Sequence, residues 1–247
     1  ISILNKKRVI LAHNSQAGAL SYSVWLGIGE EEILVIHNGV DFEKLEVDSD
    51  EDGISLILED LGVKESDRIV GSVFRIVEEK DPELWIEVAC EVLQNNDGLH
   101  FIVVGGGIRL ESMRDLVNSL GLNGRVHLVG QSANIGSWLK NMDLFLHTSK
   151  AEGLPNSIIE AQGMGIPVIA TDAGGSREAL VDGLTGSLVA GRGKSELANE
   201  LLDWLGKDED ELSEASRLAM ENSRRNFSVE MMYGKLVKIY ELSEQRG

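Results

Sequence analysis

Short apolar runs alternate along the chain with stretches of helical amphipathic spacing. Most runs are continuously apolar, which is typical of strands buried on both faces of a parallel sheet. The predicted strands are 9–12, 33–37, 69–73, 101–104, 126–129, 144–146, 168–170 and 187–189. The predicted helices are 82–94, which starts at Asp81-Pro82 with an acidic N-cap, 110–120, 135–140, 155–163 and 178–181. This alternation predicts an α/β fold with a doubly wound, Rossmann-like parallel sheet.

The two ends of the chain depart from this alternation. Residues 195–205, 211–226 and 229–243 predict consecutive extra helices at the C-terminus. Residues 1–45 hold two predicted strands and one helix, which is too little for a domain, so we expect the remnant of a preceding domain and its linker. The acidic residues 46–55 are predicted to continue as linker into the main domain, which we assign to residues 46–247. We expect the chain to be part of a longer protein.

Composition and charge exclude several function classes. The chain has 23 basic and 41 acidic residues and a formal net charge of −18, which would repel the polyphosphate backbone of a nucleic acid. Its apolar runs are far shorter than the roughly 20 residues that span a bilayer. Cys90 has no disulfide partner, which fits a reducing cytoplasm. The five histidines lack paired spacing and Cys90 has no partner, so we predict no metal site. P-loop, nucleophile-elbow and Gly-x-Gly-x-x-Gly patterns do not occur.

The unusual loops all follow the carboxyl ends of predicted strands. In open parallel sheets these ends rim one ligand-binding crevice. Arg75 and Lys80 follow the third predicted strand and could neutralise a diphosphate. The remaining loops are the triple glycine 105–107, Gly130-Gln131, residues 148–153 and residues 171–175.

Residues 152–160 carry the sharpest signal. Gly153 permits a close turn and Pro155 suits a helix start, so the N–H groups of Asn156 and Ser157 would attract a phosphate. Glu160 could accept hydrogen bonds from a ribose diol, and Glu152 from a sugar hydroxyl. From this chemistry alone the alternative stays open that Glu152 caps the helix, that Glu160 lies on the surface, and that Arg75 and Lys80 are solvated cations. His147 is of interest because it borders this loop.

The motifs together resemble the family 4 retaining glycosyltransferases of the GT-B fold, which has two facing Rossmann-like domains. The resemblance rests on residues 149–161, where seven residues separate Glu152 from Glu160, and extends over about residues 9–240. Further matching segments are Val-Ile-His-Asn-Gly-Val-Asp at 35–41, Gly-Ile-Pro-Val-Ile-Ala at 165–170, Gly-Gly-Ser-Arg-Glu at 174–178 and Asp-Gly-Leu-Thr-Gly at 182–186. The chain resembles the C-terminal, donor-binding domain.

The resemblance implies a role for each site residue. Arg75 and Lys80 would hold the donor diphosphate, Glu160 the ribose and Glu152 the transferred hexose. Gly153 and the backbone N–H groups near Leu154, Asn156 and Ser157 would contact sugar and phosphate, and the base would stack beside Gly130. Arg75, Lys80 and Glu152 would serve catalysis, which is metal-independent and retains the anomeric configuration. The nucleotide sugar, linked to UDP or GDP, is a substrate and not a cofactor.

The resemblance also implies partners and a cellular setting. The expected acceptor is a glycan or lipid-linked sugar in surface polysaccharide synthesis, bound by the N-terminal domain that this chain lacks. We expect a cytoplasmic location, with any peripheral contact to the inner face of the membrane made by that domain. The isolated chain should bind donor weakly and transfer little or no sugar. One departure affects the diphosphate loop: the family often has glycine after the lysine, whereas Lys80 is followed by Asp81 and Pro82.

Other functions remain as alternatives. A nucleotide-sugar epimerase or hydrolase could use the same scaffold, although the glutamate spacing with Arg75 and Lys80 favours transfer. A non-catalytic nucleotide-sugar-binding module is disfavoured because all four side chains are intact. A dinucleotide oxidoreductase is disfavoured because the glycine fingerprint is missing.

Overall fold

The computed structural model describes residues 9–47 and 51–244. Its main body is a six-stranded parallel sheet in the order β5-β4-β3-β6-β7-β8. The strands are β3 (Arg68–Val73), β4 (Leu99–Val104), β5 (Val126–Gly130), β6 (Leu144–His147), β7 (Val168–Thr171) and β8 (Gly186–Val189). Each contains the predicted run and extends it by one or two residues, because pairing with a neighbouring strand continues past the last apolar position.

The strand order makes a topological switch point at the centre of the sheet. The chain runs outward from β3 through β4 to β5, then returns and runs the other way from β6 through β7 to β8. β3 and β6 are therefore neighbours, with Val70 paired to Leu144 and Gly71 to Phe145. Connections leave these two strands in opposite directions, which opens a crevice beyond their carboxyl ends. The predicted doubly wound α/β fold is confirmed.

Helices cover both faces of this sheet. One core contains side chains of α4 (Pro82–Val92), α5 (Leu110–Ser119) and α9 (Lys194–Leu205), with the fully buried Trp85 donating from Nε1 to the Ser72 hydroxyl at 2.6 Å. The other core contains side chains of α2, α3, α6, α7 and α8. These helices are α2 (Phe42–Val47), α3 (Glu51–Asp60), α6 (Ile135–Lys140), α7 (Asn156–Gly163) and α8 (Ser176–Ala179).

The predicted C-terminal helices follow without an intervening strand. They are α9, α10 (Glu209–Phe227) and α11 (Val229–Glu244), with α10 packed along α7. In the part of the chain that the structure describes, no helix is both long enough and apolar enough to cross a membrane.

The N-terminal residues form a separate small unit. β1 (Leu11–His13) pairs in parallel with β2 (Ile33–Val35), and α1 (Gln16–Leu26) connects them. The chain then passes to the six-stranded body, where the amide of Val40 donates to the carbonyl of Phe227 at 2.8 Å.

The expected linker at residues 46–55 is largely helical where it is described, so that prediction is wrong. α2 ends at Val47 and α3 begins at Glu51. Phe42 and Ile54 lie in the core of the six-stranded body, so the packing of that body begins within residues 1–45. The apolar positions in α2 and α3 have helical spacing, but the many acidic residues beside them made the segment resemble a polar linker.

One predicted N-cap and two predicted helix starts differ from the structure. Asp81 occupies the N-cap position of α4, but its side chain caps no helical N–H group, and its φ of 49° is left-handed. Pro155 precedes α7 in an extended conformation, so the helix begins at Asn156. The short helix predicted at 178–181 runs from Ser176 to Ala179.

A buried histidine pair lies at the amino end of the sheet, opposite the crevice. His100 on β4 and His127 on β5 are each about 5% exposed, and Nδ1 of His100 lies 3.1 Å from Nε2 of His127. Nε2 of His100 lies 3.3 Å from the Asp67 carboxylate. Burial, together with the neighbouring His100, lowers the pKa of His127 to about 4. Sequence spacing gave no indication of this pair, because 26 residues separate its members.

The His127 pKa predicts a loss of stability in acid. Unfolded histidine titrates near 6.5, so between about pH 6.5 and about pH 4 the unfolded chain binds a proton that the folded chain does not. The free energy of unfolding should fall over this range by up to about 3 kcal/mol from this residue. Urea unfolding at about pH 7 and about pH 4.5 should show a smaller loss for His127→Gln than for the parent. Equal losses in both proteins would rule out this contribution.

Candidate functional site

Arg75 stands immediately beyond β3 on a rigid piece of backbone. Its neighbours are fixed: the amide of Phe74 donates to the carbonyl of Val104 at 3.2 Å, and that of Ile76 to the carbonyl of Gly106 at 2.9 Å. Gly107 makes this close approach possible, because a Cβ there would lie 2.2 Å from the carbonyl oxygen of Ile76. The Arg75 side chain is exposed and faces the crevice.

Lys80 lies on the same loop, and the loop after β6 holds its backbone. The Thr148 hydroxyl donates to the carbonyl of Lys80 at 3.0 Å. The amide of Lys150 donates to the carbonyl of Glu79 at 2.8 Å. The loops of the two strands at the switch point are therefore joined, which places Lys80 beside the glutamate loop.

Glu152 makes the central polar contacts of the site. Lys80 Nζ forms an ion pair with its Oε1, and Nε2 of His147 lies 2.9 Å from the same oxygen. A carboxylate only accepts, so Nε2 of His147 carries the proton and donates it. Both contacts end on Oε1, and Oε2 takes part in neither. These side chains are 19% exposed for Lys80, 10% for Glu152 and 1% for His147.

These contacts fix the ionisation state of Glu152. Burial disfavours its charged form, but the hydrogen bonds from His147 and Lys80 outweigh burial and lower its pKa to about 2. Burial lowers the pKa of His147, so its ring is neutral near pH 7. Glu152 is therefore an ionised acceptor at neutral pH and has no proton to donate.

The residues after Glu152 begin α7 at the rim of the crevice. The Leu154 side chain is buried in the core, so only the backbone of this residue could contact a ligand. Asn156 is exposed, and its Oδ1 accepts from Asn38 Nδ2 at 2.7 Å. Ser157 is half-buried in the first turn of α7. Glu160 is half-buried in the second turn, and burial raises the pKa of its carboxyl group.

Two clefts lie at this edge of the sheet, one lined by Arg75 and the other by Glu152. A cleft of about 520 Å³ lies beyond β3, β4 and β5, between Arg75, the glycines 105–106 and the segment 131–135. A second, of about 370 Å³, separates Glu152 and Gly153 from the N-terminal unit. Gly130 precedes the first cleft, and its carbonyl accepts from the amide of Gly105 at 2.8 Å. The structure thus joins Lys80 to Glu152 directly and places Arg75 in the neighbouring cleft.

The N-terminal unit is attached to the site through Glu178. The Glu178 carboxylate accepts from the amides of Gln16 at 2.8 Å and Ala17 at 3.0 Å, at the start of α1. It also contacts Nε2 of His37 at 3.1 Å. Gly175 allows the underlying loops to meet, since a Cβ there would lie 1.8 Å from the carbonyl oxygen of Gly153. The second cleft therefore has a wall from each body.

The chemistry of the site suits an anion with an attached polar group. Arg75 and Lys80 supply positive charge in a chain of net charge −18, and α7 starts at the same rim. Among the described residues, no group of three or more histidine, cysteine or acidic side chains could hold a metal ion.

Sequence reasoning missed several members of the site. His147 was singled out for its position, but its contact with Glu152 was not predicted. Thr148, Glu178 and Arg192 were not assigned roles, although each follows the carboxyl end of a strand. Topology was the available signal for Arg192, which lies beyond β8.

Comparison with known proteins gives a family match over most of the chain. The sequence model of the family described as "Glycosyl transferases group 1" matches residues 54–225. This range includes Arg75, Lys80, Glu152 and Glu160.

Several curated relatives match more than two thirds of the chain, and two of them are at least 30% identical. A Vi polysaccharide biosynthesis protein of Salmonella typhi is 34% identical over 71% of this chain and 30% of its own length. A UDP-Gal:alpha-D-GlcNAc-diphosphoundecaprenol alpha-1,3-galactosyltransferase of Escherichia coli is 30% identical over 74% of this chain and 47% of its own length. The chain thus spans less than half the length of either relative.

A solved structure matches nearly the whole chain. The Anabaena protein HepE, crystallised in complex with UDP-glucose, superposes with a TM-score of 0.81 and 27% identity. The superposition covers 94% of this chain and 64% of that protein.

The role of His147 can be tested through the pKa of Glu152. In His147→Phe the Glu152 carboxylate loses a hydrogen bond to its charged form, so its pKa should rise from about 2 toward the ordinary value of about 4.3. Carbon-13 NMR titration of the side-chain carboxyl group measures this. His13→Phe, on the opposite wall of the cleft, is the matched control and should leave the value unchanged. An unshifted pKa in His147→Phe would contradict the assigned contact.

Proposed function

Because the chain belongs to the group 1 glycosyl transferases, we propose that it is the donor-binding part of a retaining hexosyltransferase. The observation that carries this proposal is the Lys80–Glu152 ion pair in the crevice of a topological switch point. There a cation for the donor diphosphate stands beside an ionised acceptor for the hydroxyls of the attached sugar.

The donor is a nucleotide-diphosphate sugar, and UDP is the proposed nucleotide. Support comes from HepE, which binds UDP-glucose and shares the fold over 94% of this chain. Arg75 and Lys80 hold the diphosphate, aided by the N–H groups at the start of α7. Glu160 accepts from the ribose hydroxyls, and the base lies in the cleft between Arg75 and residues 131–135, beside Gly130.

Glu152 has an orienting role in this proposal. It is ionised at neutral pH, so it accepts a hydrogen bond from a sugar hydroxyl and does not act as a general acid. Lys80 and His147 both bind Oε1, which directs the acceptor capacity of Oε2 to the sugar. When donor binds, Lys80 is shared between Glu152 and the diphosphate, so the carboxylate beside the leaving group stays compensated.

Transfer is proposed to follow a front-side displacement. The acceptor hydroxyl attacks the anomeric carbon on the face from which the diphosphate departs, so the configuration is retained. The new bond joins the acceptor oxygen to that carbon, and the bond from the carbon to the diphosphate oxygen breaks. The departing oxygen takes the hydroxyl proton. Arg75 and Lys80 stabilise the charge on the diphosphate, which is where the transition state gains most.

The acceptor is proposed to be a growing glycan or lipid-linked sugar in bacterial surface polysaccharide synthesis. The names of the Salmonella and Escherichia coli relatives support this setting. Acceptor binding, and any peripheral membrane contact in the cytoplasm, belong in this proposal to an additional N-terminal domain facing the second cleft.

Arg75 is tested by nucleotide affinity. Arg75→Ala removes charge-assisted contacts of about 1.5–3 kcal/mol, so UDP should bind roughly ten- to a hundredfold more weakly. Calorimetric titration with UDP measures the affinity. Arg217→Ala removes the same charge from the exposed face of α10 and should change it less than about twofold. Unaltered binding by Arg75→Ala would remove Arg75 from the diphosphate site.

Glu160 is tested by comparing ligands. Glu160→Gln keeps the size of the side chain but replaces a charged acceptor, so UDP and UDP-sugars should lose affinity by the same factor. The measurement is titration with UDP, UDP-glucose and UDP-galactose. A loss confined to one of the sugars would place Glu160 at the sugar and not at the ribose.

The chain by itself is expected to bind donor without efficient transfer. One wall of the second cleft is a small unit, and the acceptor site is assigned to a domain outside this chain. Release of UDP in the presence of acceptor should be far slower for this chain than for the full-length protein. Equal turnover would show that the chain contains a complete acceptor site.

A further inference from the structure

Arg192 connects three loops at the carboxyl edge of the sheet. It follows β8, and its guanidinium reaches back across β7 to the loop after β6. Nη1 donates to the carbonyl of Ser149 at 2.8 Å, and Nη2 to that of Thr148 at 3.2 Å. Nη2 also forms an ion pair with the carboxylate of Asp81, on the loop after β3. One planar group thus satisfies two carbonyls and one carboxylate.

Asp81 has an unusual backbone conformation. Its φ is 49° and its ψ 60°, and it is the one non-glycine residue with positive φ among residues 9–47 and 51–244. L-residues disfavour this region, although aspartate tolerates it better than most. The Asp81 side chain is 16% exposed and caps no helical N–H group. The Asp81 carboxylate instead forms the ion pair with Arg192.

Asp81 and Lys80 lie in the same turn of the backbone. The Thr148 hydroxyl donates to the carbonyls of both Lys80, at 3.0 Å, and Asp81, at 3.2 Å. Thr148 therefore binds the backbone of the Lys80-Asp81 turn, and Arg192 binds the side chain of Asp81. A turn released at Asp81 would move Lys80 away from Glu152.

We infer that Arg192 and Asp81 are positioning residues that hold Lys80 in place for the donor diphosphate. Neither of them needs to touch the donor. Arg192 stabilises the left-handed turn through the Asp81 carboxylate, and the turn directs Lys80 Nζ to Glu152. As far as the ligand is concerned, this inference rests on the proposed function. A glycine at position 81 would adopt the same turn without help, so the need for Arg192 comes from the aspartate.

The first experiment separates positioning from charge. UDP should bind about tenfold more weakly to Arg192→Gln than to the parent in calorimetric titration. Arg192→Lys keeps the charge but cannot bind the carboxylate and two carbonyls with a planar fork, so it should also lose at least about threefold. Arg217→Gln is the matched control on α10 and should stay within about twofold. Parent-like binding by Arg192→Lys would show that Arg192 acts only as a charge.

The second experiment is a double-mutant cycle with Asp81→Gly. Glycine adopts the left-handed turn without strain, so Arg192→Gln should cost less than about twofold in that background. We expect the effect of Arg192→Gln to depend on residue 81 in this way only if Arg192 acts through Asp81. A tenfold loss in both backgrounds would overturn it. Thermal unfolding of the parent, the two single variants and the double variant checks that all four are folded under the titration conditions.

A third measurement needs no nucleotide. If Arg192 holds Lys80 against Glu152, then Arg192→Gln weakens that ion pair and raises the Glu152 pKa, which carbon-13 NMR detects. An unchanged pKa would overturn the positioning role even where UDP binds. A parent chain that binds no UDP, but whose Glu152 pKa rises in Arg192→Gln, would instead contradict the proposed function and leave the positioning role supported.

Discussion

Compensation of Glu152 by Lys80 and His147 is the interaction on which the rest of the site depends. A carboxylate 10% exposed beside the proposed diphosphate site would repel the ligand and resist ionisation unless positive charge and hydrogen-bond donors surrounded it. Lys80 supplies the charge, and the neutral ring of His147 supplies a donor without adding charge. The outcome is a pKa of about 2 and one carboxylate oxygen held from two sides. An orienting acceptor and an anion site can then share a crevice.

The fold supplies this interaction through the adjacency of β3 and β6. Lys80 follows one strand and Glu152 the other, and 71 residues lie between them in sequence. Hydrogen bonds from Thr148 and Lys150 join the two loops. The side chains of Lys80 and Glu152 therefore come into contact. Glu178 extends the arrangement to the N-terminal unit by capping α1. Arg75 and Lys80 supply positive charge at this site in a chain whose formal net charge is −18.

Sequence patterns predicted the sheet well because burial on both faces leaves continuous apolar runs. They also predicted the carboxyl-edge loops, since topology alone brings those together. They failed where contacts between distant residues decide the geometry. Asp81 is the clearest example: as an acid before proline it predicts an N-cap, but Arg192 draws its carboxylate away and the residue takes a left-handed turn. The pairing of His100 with His127 and the contact of His147 with Glu152 are likewise properties of neighbouring strands and loops. The helices α2 and α3 were missed because acidic residues outnumber the apolar positions that pack.

The central claim is that one crevice holds an activated sugar between Arg75, Lys80, Glu152 and Glu160. A crystal structure of the chain with UDP-glucose tests it most directly. The account predicts the diphosphate within hydrogen-bond distance of Arg75 and Lys80, the ribose at Glu160 and a glucose hydroxyl at Glu152. UDP-glucose bound elsewhere, or bound with its diphosphate remote from both cations, would contradict it.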